Sequence, residues 1–393
     1  MREVVIVSAC RTALGKFMGT LAPLRASELG AKVIEESLKR AGIPNDSIDE
    51  VIMGTVLQAG QGQNPARQAA IYAGIPNTVG SVTINKVCGS GLKAVMMGAQ
   101  AIKAGDAHVI MAGGMESMSN APYLLRQARG GFRMGHVQTE DCMVSDGLWD
   151  IYNNYHMGNT AELVAKEYQI SREEQDRYAL NSQKKAYMAQ SEGLFKDEIV
   201  KVDIATRKES IEFLSDEGIR PETSMESLSR LKPAFQKDGS VTAGNASTIN
   251  DGASALLLCS REYAKAHGLT VLASIKAYST GGMAPEWVMM APVVAIEKLL
   301  KSAGLNVSDI DLFEINEAFA VASVAITRKL NLPEEKVNVH GGAIALGHPI
   351  GASGARVLTT LLYALKRHNK HKGLAGLCLG GGNAVAMIVE REA

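Results

Sequence analysis

The chain has 393 residues, too many for one ordinary hydrophobic core, so two or three domains or one large duplicated fold are expected. Its 41 basic residues are balanced by 41 acidic ones, which leaves no electrostatic footprint for nucleic acid or an anionic membrane surface. A hydrophobic content of 46% with 39 glycines and only 5% aromatic residues excludes disorder and describes an α/β protein with many tight strand-to-helix turns.

The amino terminus opens Met1-Arg2-Glu3 and continues into a short apolar run, Val4 to Cys10, that Arg11 interrupts. This reads as a first strand over 4–9 rather than a signal peptide, and no apolar run approaches the length of a membrane span. The carboxyl end carries no targeting tripeptide, so a cytoplasmic protein is expected. A helix follows from about Ser27 to Arg40, with Leu29, Val33, Ile34 and Leu38 on one face and Gly42 just past its end. Ser47 to Gly54 reads as a strand entered from a polar turn, and Asn64 to Ala73 as a short helix with Pro65 at its start.

Ser81 to Ile84 is β-prone, and the segment from Leu92 to Ile102 is helix-forming and apolar on more than one side. Cys88 therefore sits at or just before a helix N-terminus, where unpaired N–H groups and the positive end of the dipole stabilise a thiolate or an adjacent oxyanion. Gly89 and Gly91 let the backbone approach a substrate closely. A lone cysteine in such a turn is also compatible with simple burial. His108 to Gly114 then reads as a buried strand.

The order of these pieces recurs near the carboxyl end. Ile48-Asp49-Glu50-Val51-Ile52 is echoed from Ile310 to Glu314, an offset of 262, and Ser90-Gly91-Leu92-Lys93-Ala94-Val95 is echoed from Ser353 to Val357, where 91 and 354 differ by 263. The strand ending Ala112-Gly113-Gly114 is echoed by Leu374 to Cys378 before Gly380, with 113 and 380 differing by 267. Two copies of one α/β unit, burying a shared face against each other, are inferred. Between them, residues of about 119–249 are richer in charge and turns and hold one helix pair; Ser171 and Glu174 make a capping box leading into Gln175 to Gln190. Gly130 to Gly135 is loop-like, either an oligomer contact or a plain surface loop.

Gly341 to Arg356 packs five glycines around one histidine, His348, an arrangement no structural helix needs. An imidazole held in such a turn is suited to accept a thiol proton. Cys378 precedes Gly380-Gly381-Gly382, next to exposed N–H groups that stabilise an enolate or a tetrahedral oxyanion. Asn316, in Glu314-Ile315-Asn316-Glu317-Ala318-Phe319, stands at a strand end, either to orient a water or donate to an oxyanion, or as a helix N-cap. Two thiols, an imidazole and an amide in glycine turns fit thioester chemistry. No phosphate-binding G-x-x-x-x-G-K-[ST] and no strand-then-G-x-G-x-x-G unit occur, so nucleotide redox chemistry is a weak alternative. The five cysteines form no C-x-x-C pair and are odd in number, which argues against a disulfide framework or a zinc site; Cys10, Cys142 and Cys259 read as structural.

Taken together, Asn85-Lys86-Val87-Cys88-Gly89-Ser90-Gly91, Asn316-Glu317-Ala318-Phe319, Gly341 to Gly351 and Cys378-Leu379-Gly380-Gly381-Gly382 resemble the four signature blocks of the thiolases. The resemblance runs over essentially the whole chain, including Asn64-Pro65-Ala66-Arg67 and Thr242 to Ser247. It implies a five-layered αβαβα fold of two duplicated halves: 1–118 completed by 250–270, and 271–393, with 119–249 as a loop domain for coenzyme A binding and oligomer contacts. It implies a homotetramer, with no metal and no cofactor beyond the coenzyme A thioesters that are substrates. In its terms Cys88 is the acylated nucleophile, His348 activates it, and Cys378 is the general acid/base. Asn316, through a water, and His348 form one oxyanion site, and the N–H groups of Cys88 and Gly380 form the other. Leu148, Arg220, Phe235, Ala243, Ser247 and Phe319 line the pantetheine and nucleotide channel, with Arg220 near a phosphate, and His156, Met157 and Ala318 join the substrate contacts. Tyr155-His156-Met157-Gly158 resembles the short-chain type, implying ping-pong conversion of two acetyl-CoA into acetoacetyl-CoA and CoA. A 3-ketoacyl-CoA thiolase for longer or unusual chains and a non-catalytic acyl-CoA binding protein remain as alternatives. Two departures stand out: Ala284 to Pro292 replaces the usual Pro-x-x-Met-Gly-x-Gly-Pro, placing Val288 at a pocket methionine, and Asn383 stands where a glycine commonly recurs.

Overall fold

The computed structural model describes residues 2–205 and 210–392. The first half contributes β1 (Val4–Thr12), α1 (Ala26–Ala41), β2 (Glu50–Gly54), α2 (Pro65–Tyr72), β3 (Gly80–Ile84), α3 (Ser90–Ala104) and β4 (Val109–Ser117). After a long insertion holding α4 (Met157–Glu167) and α5 (Arg172–Ser191), the chain returns as β5 (Asn250–Ser260). The second half runs β6 (Ala273–Gly282), α6 (Ala291–Ala303), β7 (Leu312–Ile315), α7 (Ala320–Leu330), α8 (Ser353–Arg367), β8 (Lys372–Leu379) and β9 (Asn383–Glu390). The local signals act where the sequence put them: α1 stops at Gly42 with φ of 68°, Pro65 opens α2, and Ser171 and Glu174 cap α5 reciprocally.

The strands join in the order β7-β8-β9-β6-β1-β5-β4-β2-β3. Outward from the seam between β1 and β6, where Val5 faces Ser274, both directions read alike: an antiparallel return strand, a strand beyond it, then a parallel partner. The three sequence echoes fall on β2 and β7, on α3 and α8, and on β4 and the end of β8. In the second half β8 and β9 are joined by Gly380 to Gly382 alone; in the first half the equivalent connection, between β4 and β5, is the whole insertion.

The strands are apolar on both faces because each face meets a helical layer. On β4, Val109, Met111 and Met115 point into an outer core with α1 and α2, whereas Ile110 and Ala112 point to α3 and α8. On β9, Val385, Met387 and Val389 share that central core, while Ala384, Ala386 and Ile388 join α6 and α7 on the far side. Three cores between two outer helical layers, two sheet portions and one central helical layer make the αβαβα stack. The insertion is tied to this stack by Arg11 of β1, which is fully buried: its Nε meets Glu198 at 2.6 Å and its Nη1 meets Asp216 at 2.7 Å. At the insertion's outer edge Tyr123 and Leu124 pair with Asp141 and Glu140, and the tip beyond them, with Phe132 and Met134, is exposed.

The central helices start almost in contact. A Cβ on Gly91 would stand 2.7 Å from the Ala355 backbone nitrogen, and one on Gly354 would overlap the Leu92 backbone nitrogen. A helical glycine normally costs about 0.5–1 kcal/mol relative to alanine. Here the sign is reversed: Gly354→Ala is expected to destabilise by about 1–3 kcal/mol, the usual cost of overpacking. Urea denaturation checks this, and a raised midpoint would remove the close-approach account.

Candidate active site

The Cys88 turn leaves β3 at Ile84 and is held by its own side chains. Asn85 Oδ1 accepts from the Val87 N–H at 2.9 Å, and Ser90 Oγ accepts from the Lys86 N–H at 2.8 Å while donating to the Val87 carbonyl at 2.6 Å. These bonds hold Val87 at φ of 47°, in the left-handed region that a β-branched residue avoids. Strain of this kind, on the order of 1–3 kcal/mol, persists only where the surroundings over-determine it. Helix α3 begins at Ser90, two residues after Cys88, and Gly89 packs flush on Leu379 of β8. That contact sets Cys88 beside the end of the strand carrying Cys378.

His348 occupies the corresponding approach to α8. Its N–H donates to Asn250 Oδ1 at 3.0 Å, and its Nδ1 lies 2.6 Å from Ser353 Oγ. The Ser353 hydroxyl donates to the Pro349 carbonyl at 2.9 Å, so Nδ1 carries the proton and donates to Oγ. The Nε2 lone pair is thereby left bare, the tautomer a general base needs. Upstream, buried Glu317 anchors the loop: Ser182 Oγ donates to it at 2.6 Å, Asn338 Nδ2 at 3.0 Å and the Ile344 N–H at 3.2 Å. Asn316 follows β7 directly and is no helix cap, since α7 starts after Phe319. Its Nδ2 is 3.4 Å from His348 Nδ1 and its buried Oδ1 has no protein partner, so the amide keeps hydrogen-bonding capacity beside the imidazole.

Burial shifts every titratable group of the site toward its uncharged form. Burial, then the positive charge of Arg356, lowers His348 to about 3. Burial pushes the Cys88 thiol well above the ordinary cysteine range, with Cys378 adding to the shift and the N–H groups of Cys88 and Gly380 drawing it back. Burial also raises Cys378, to about 12.

One mostly apolar cavity collects these groups. Cys88, His348, Cys378 and Gly380 line it together with Leu148, His156, Met157, Phe235, Ala243, Ser247, Ala318 and Phe319. The ring of Phe235 stacks on His156 at 4.7 Å and meets Phe319 edge-on at 6.1 Å, making one wall. His156 Nδ1 accepts from the Gly158 N–H at 3.1 Å, which leaves Nε2–H as a donor. Asn316 stands behind His348 rather than in the lining, and Arg220 is exposed and outside it. Cys10, Cys142 and Cys259 are buried elsewhere.

Sequence reasoning missed several groups. Ser353 carried a signal, since it is the repeat partner of Ser90: both hydroxyls open a central helix, one bracing the thiol turn and the other the imidazole. Val87 carried none, a β-branched residue being the last expected at positive φ. Met289, beside Val288, also lines the cavity, so a second side chain enters where the sequence pattern departs.

Two family models cover the chain: thiolase, N-terminal domain, over residues 4–262, and thiolase, C-terminal domain, over 269–391. The chain is 56% identical to an acetyl-CoA acetyltransferase of Cupriavidus necator, over 393 residues and all of both chains. It is 55% identical to an acetyl-CoA acetyltransferase of Escherichia coli, over 392 residues and again the whole of both. A crystal structure of the Bacillus anthracis acetyl-CoA acetyltransferase superposes with a TM-score of 0.98 at 44% identity, covering 100% of this chain and 99% of that one.

A neutral thiol beside a neutral imidazole has a kinetic signature. Alkylation of Cys88 by iodoacetamide, followed by mass spectrometry, is expected to rise by about tenfold per unit between about pH 7 and 9 as the thiolate forms. A rate independent of pH there would reveal a resting thiolate–imidazolium pair and overturn the assignment. Ser353→Ala, which frees the imidazole to rotate, is expected to slow the reaction several-fold at neutral pH.

Proposed function

The chain belongs to the thiolase family, and from that premise we propose that it is an acetyl-CoA C-acetyltransferase, joining two acetyl-CoA into acetoacetyl-CoA and free CoA, reversibly and by a ping-pong route through acetyl-Cys88. The observation that carries the reading is that Cys88, His348, Cys378 and Gly380 line one apolar cavity, with the N–H groups of Cys88 and Gly380 favouring the Cys88 thiolate.

In the first half-reaction His348 Nε2 takes the Cys88 proton as the sulfur attacks the thioester carbonyl. Because neither group is charged at rest, ion separation occurs only as the bond forms, and the oxyanion must be met by fixed donors. The N–H groups of Cys88 and Gly380 stand next to the sulfur and so next to any acyl oxygen bonded through it. Collapse breaks the carbon–sulfur bond to CoA, and Cys378 protonates the departing thiolate. In the second half-reaction the Cys378 thiolate removes a proton from the methyl carbon of a new acetyl-CoA. Its enolate oxygen is held by His348 and by Asn316 acting through a water. The carbanion attacks acetyl-Cys88, acetoacetyl-CoA leaves, and Cys88 recovers its proton from His348.

The remaining assignments extend this reading. Leu148, His156, Met157, Phe235, Ala243, Ser247, Ala318 and Phe319 hold the pantetheine arm. Arg220, outside the cavity, meets a phosphate only where the nucleotide reaches the surface. Residues 1–118 with 250–270, 119–249 and 271–393 act as first half, loop domain and second half. The exposed apolar tip with Phe132 and Met134 supports a homotetramer, and five unpaired cysteines suit the reducing cytoplasm. Val288 and Met289 together set acyl-chain preference, and turnover across chain lengths separates an acetyl-specific enzyme from a longer-chain thiolase.

Brief exposure to acetyl-CoA, followed by mass spectrometry, is expected to add one acetyl group, on Cys88, with one CoA thiol released. Cys88→Ser is expected to abolish the adduct and His348→Asn to slow it by about a hundredfold or more. A wild-type protein that releases no thiol and cleaves no acetoacetyl-CoA would end the reading.

A further inference from the structure

Glu116 is fully buried at the end of β4 and has no ion-pair partner among the described residues. Its carboxyl group meets four donors and no acceptor. Oε1 accepts from the Thr55 hydroxyl at 2.9 Å and the Leu57 N–H at 3.2 Å; Oε2 accepts from the Val56 N–H at 3.0 Å and the Gly351 N–H at 2.8 Å. Two donors on each oxygen is the pattern an ionised carboxylate satisfies and a protonated one breaks. Burial nevertheless draws its pKa up to about 7 against those four bonds.

Three donors belong to the segment that follows β2 and packs against the Cys88 turn, and the fourth to the loop that carries His348. Residues Thr55 to Leu57 lie against the approach to Cys88: the Thr55 N–H donates to the Ile84 carbonyl at 3.1 Å, and Asn85 Nδ2 contacts the Val56 carbonyl at 3.5 Å. Asn85 in turn holds Val87. Gly351 lies three residues past His348 and two before Ser353, whose hydroxyl fixes the imidazole. A Cβ at Gly351 would stand 2.6 Å from Glu116 Oε2, so glycine is what admits the carboxylate. Glu116 therefore bonds at once the segment that supports the Cys88 turn and the loop that carries His348.

We propose that Glu116 is a positioning residue that sets the separation of the Cys88 thiol and the His348 imidazole by tying the His348 loop, through Gly351, to the segment Thr55 to Leu57 on which the Cys88 turn rests. It touches neither substrate nor the reacting atoms, and it does not line the cavity. Its loss should act on the acylation step and not on the hold over the pantetheine arm, whose wall is built from α4, Phe235 and Phe319. The inference rests on Cys88 being the acyl acceptor.

The test uses Glu116→Gln and the milder Thr55→Val, which deletes one donor and keeps the shape. In folded Glu116→Gln, kcat and the rate of Cys88 acetylation are expected to fall by at least about tenfold, as small displacements of reacting groups cost, with KM for acetyl-CoA within about twofold. Thr55→Val should show the same split at a few-fold. Glu198→Gln, which weakens the distant buried Arg11 network, is expected to lower the thermal midpoint while leaving the Cys88 acetylation rate unchanged. Unaltered acetylation rates in both Thr55→Val and folded Glu116→Gln would overturn the proposal, as would a loss confined to KM. Should Glu116→Gln fail to fold, Thr55→Val decides alone. If wild type itself is not acetylated on Cys88, the functional reading has failed rather than this one.

Discussion

The near-contact of α3 and α8 at Gly91 and Gly354 is the constraint on which the rest depends. Each helix is preceded by a turn bearing one reactive group, Cys88 before α3 and His348 before α8. Bringing the helix starts to backbone contact draws the two turns together. Larger side chains at either glycine would push the facing helix backbone away, and with it the turn that precedes that helix. The duplicated fold is thus a device for convergence: two copies of one strand-turn-helix point their turns at the same space.

Inside that space the electrostatics favour transition states over resting ions. Burial makes charge costly, so the His348 imidazole is held below its ordinary range and the Cys88 and Cys378 thiols above theirs. What the site supplies instead is a set of fixed N–H donors, worth more in a low-dielectric setting and needing no reorganisation. The charged groups nearby lie in the supporting layer. Glu116 and Glu317 each satisfy several donors, and Arg356 pairs with Glu314 at 3.0 Å. Of these, Arg356 acts on His348 and Glu116 on Cys88, without either side chain entering the cavity lining.

Much of this was legible in the sequence because it rests on local chemistry. Gly42, Pro65 and the Ser171–Glu174 box end or begin helices for reasons confined to a few residues, and the echoes between the halves located β2, α3 and β4 against β7, α8 and β8. The glycine-rich setting of His348 and Cys378 separated them from Cys10, Cys142 and Cys259, which are buried outside the cavity lining. Other features depend on partners distant in the chain. Glu116 binds residues 60 positions before it and 235 after it. Val87 is held in a conformation its own chemistry opposes, so propensity points away from the answer. Asn316 resembles a helix cap until the start of α7 is known.

The unequal connections of the two halves bear on how the chain reaches its fold. In the second half β8 meets β9 through three glycines, a closure that is local and fast. In the first half β4 and β1 both await β5, which arrives only after the whole insertion, so the central pairings there span long stretches of sequence and carry a large loop-closure entropy. During synthesis the first sheet portion therefore emerges with unpaired edges and stays unfinished until residue 260 has left the ribosome. The second half, arriving last but closing at once, completes the central helical layer, and the pocket comes into being only at the end of that sequence.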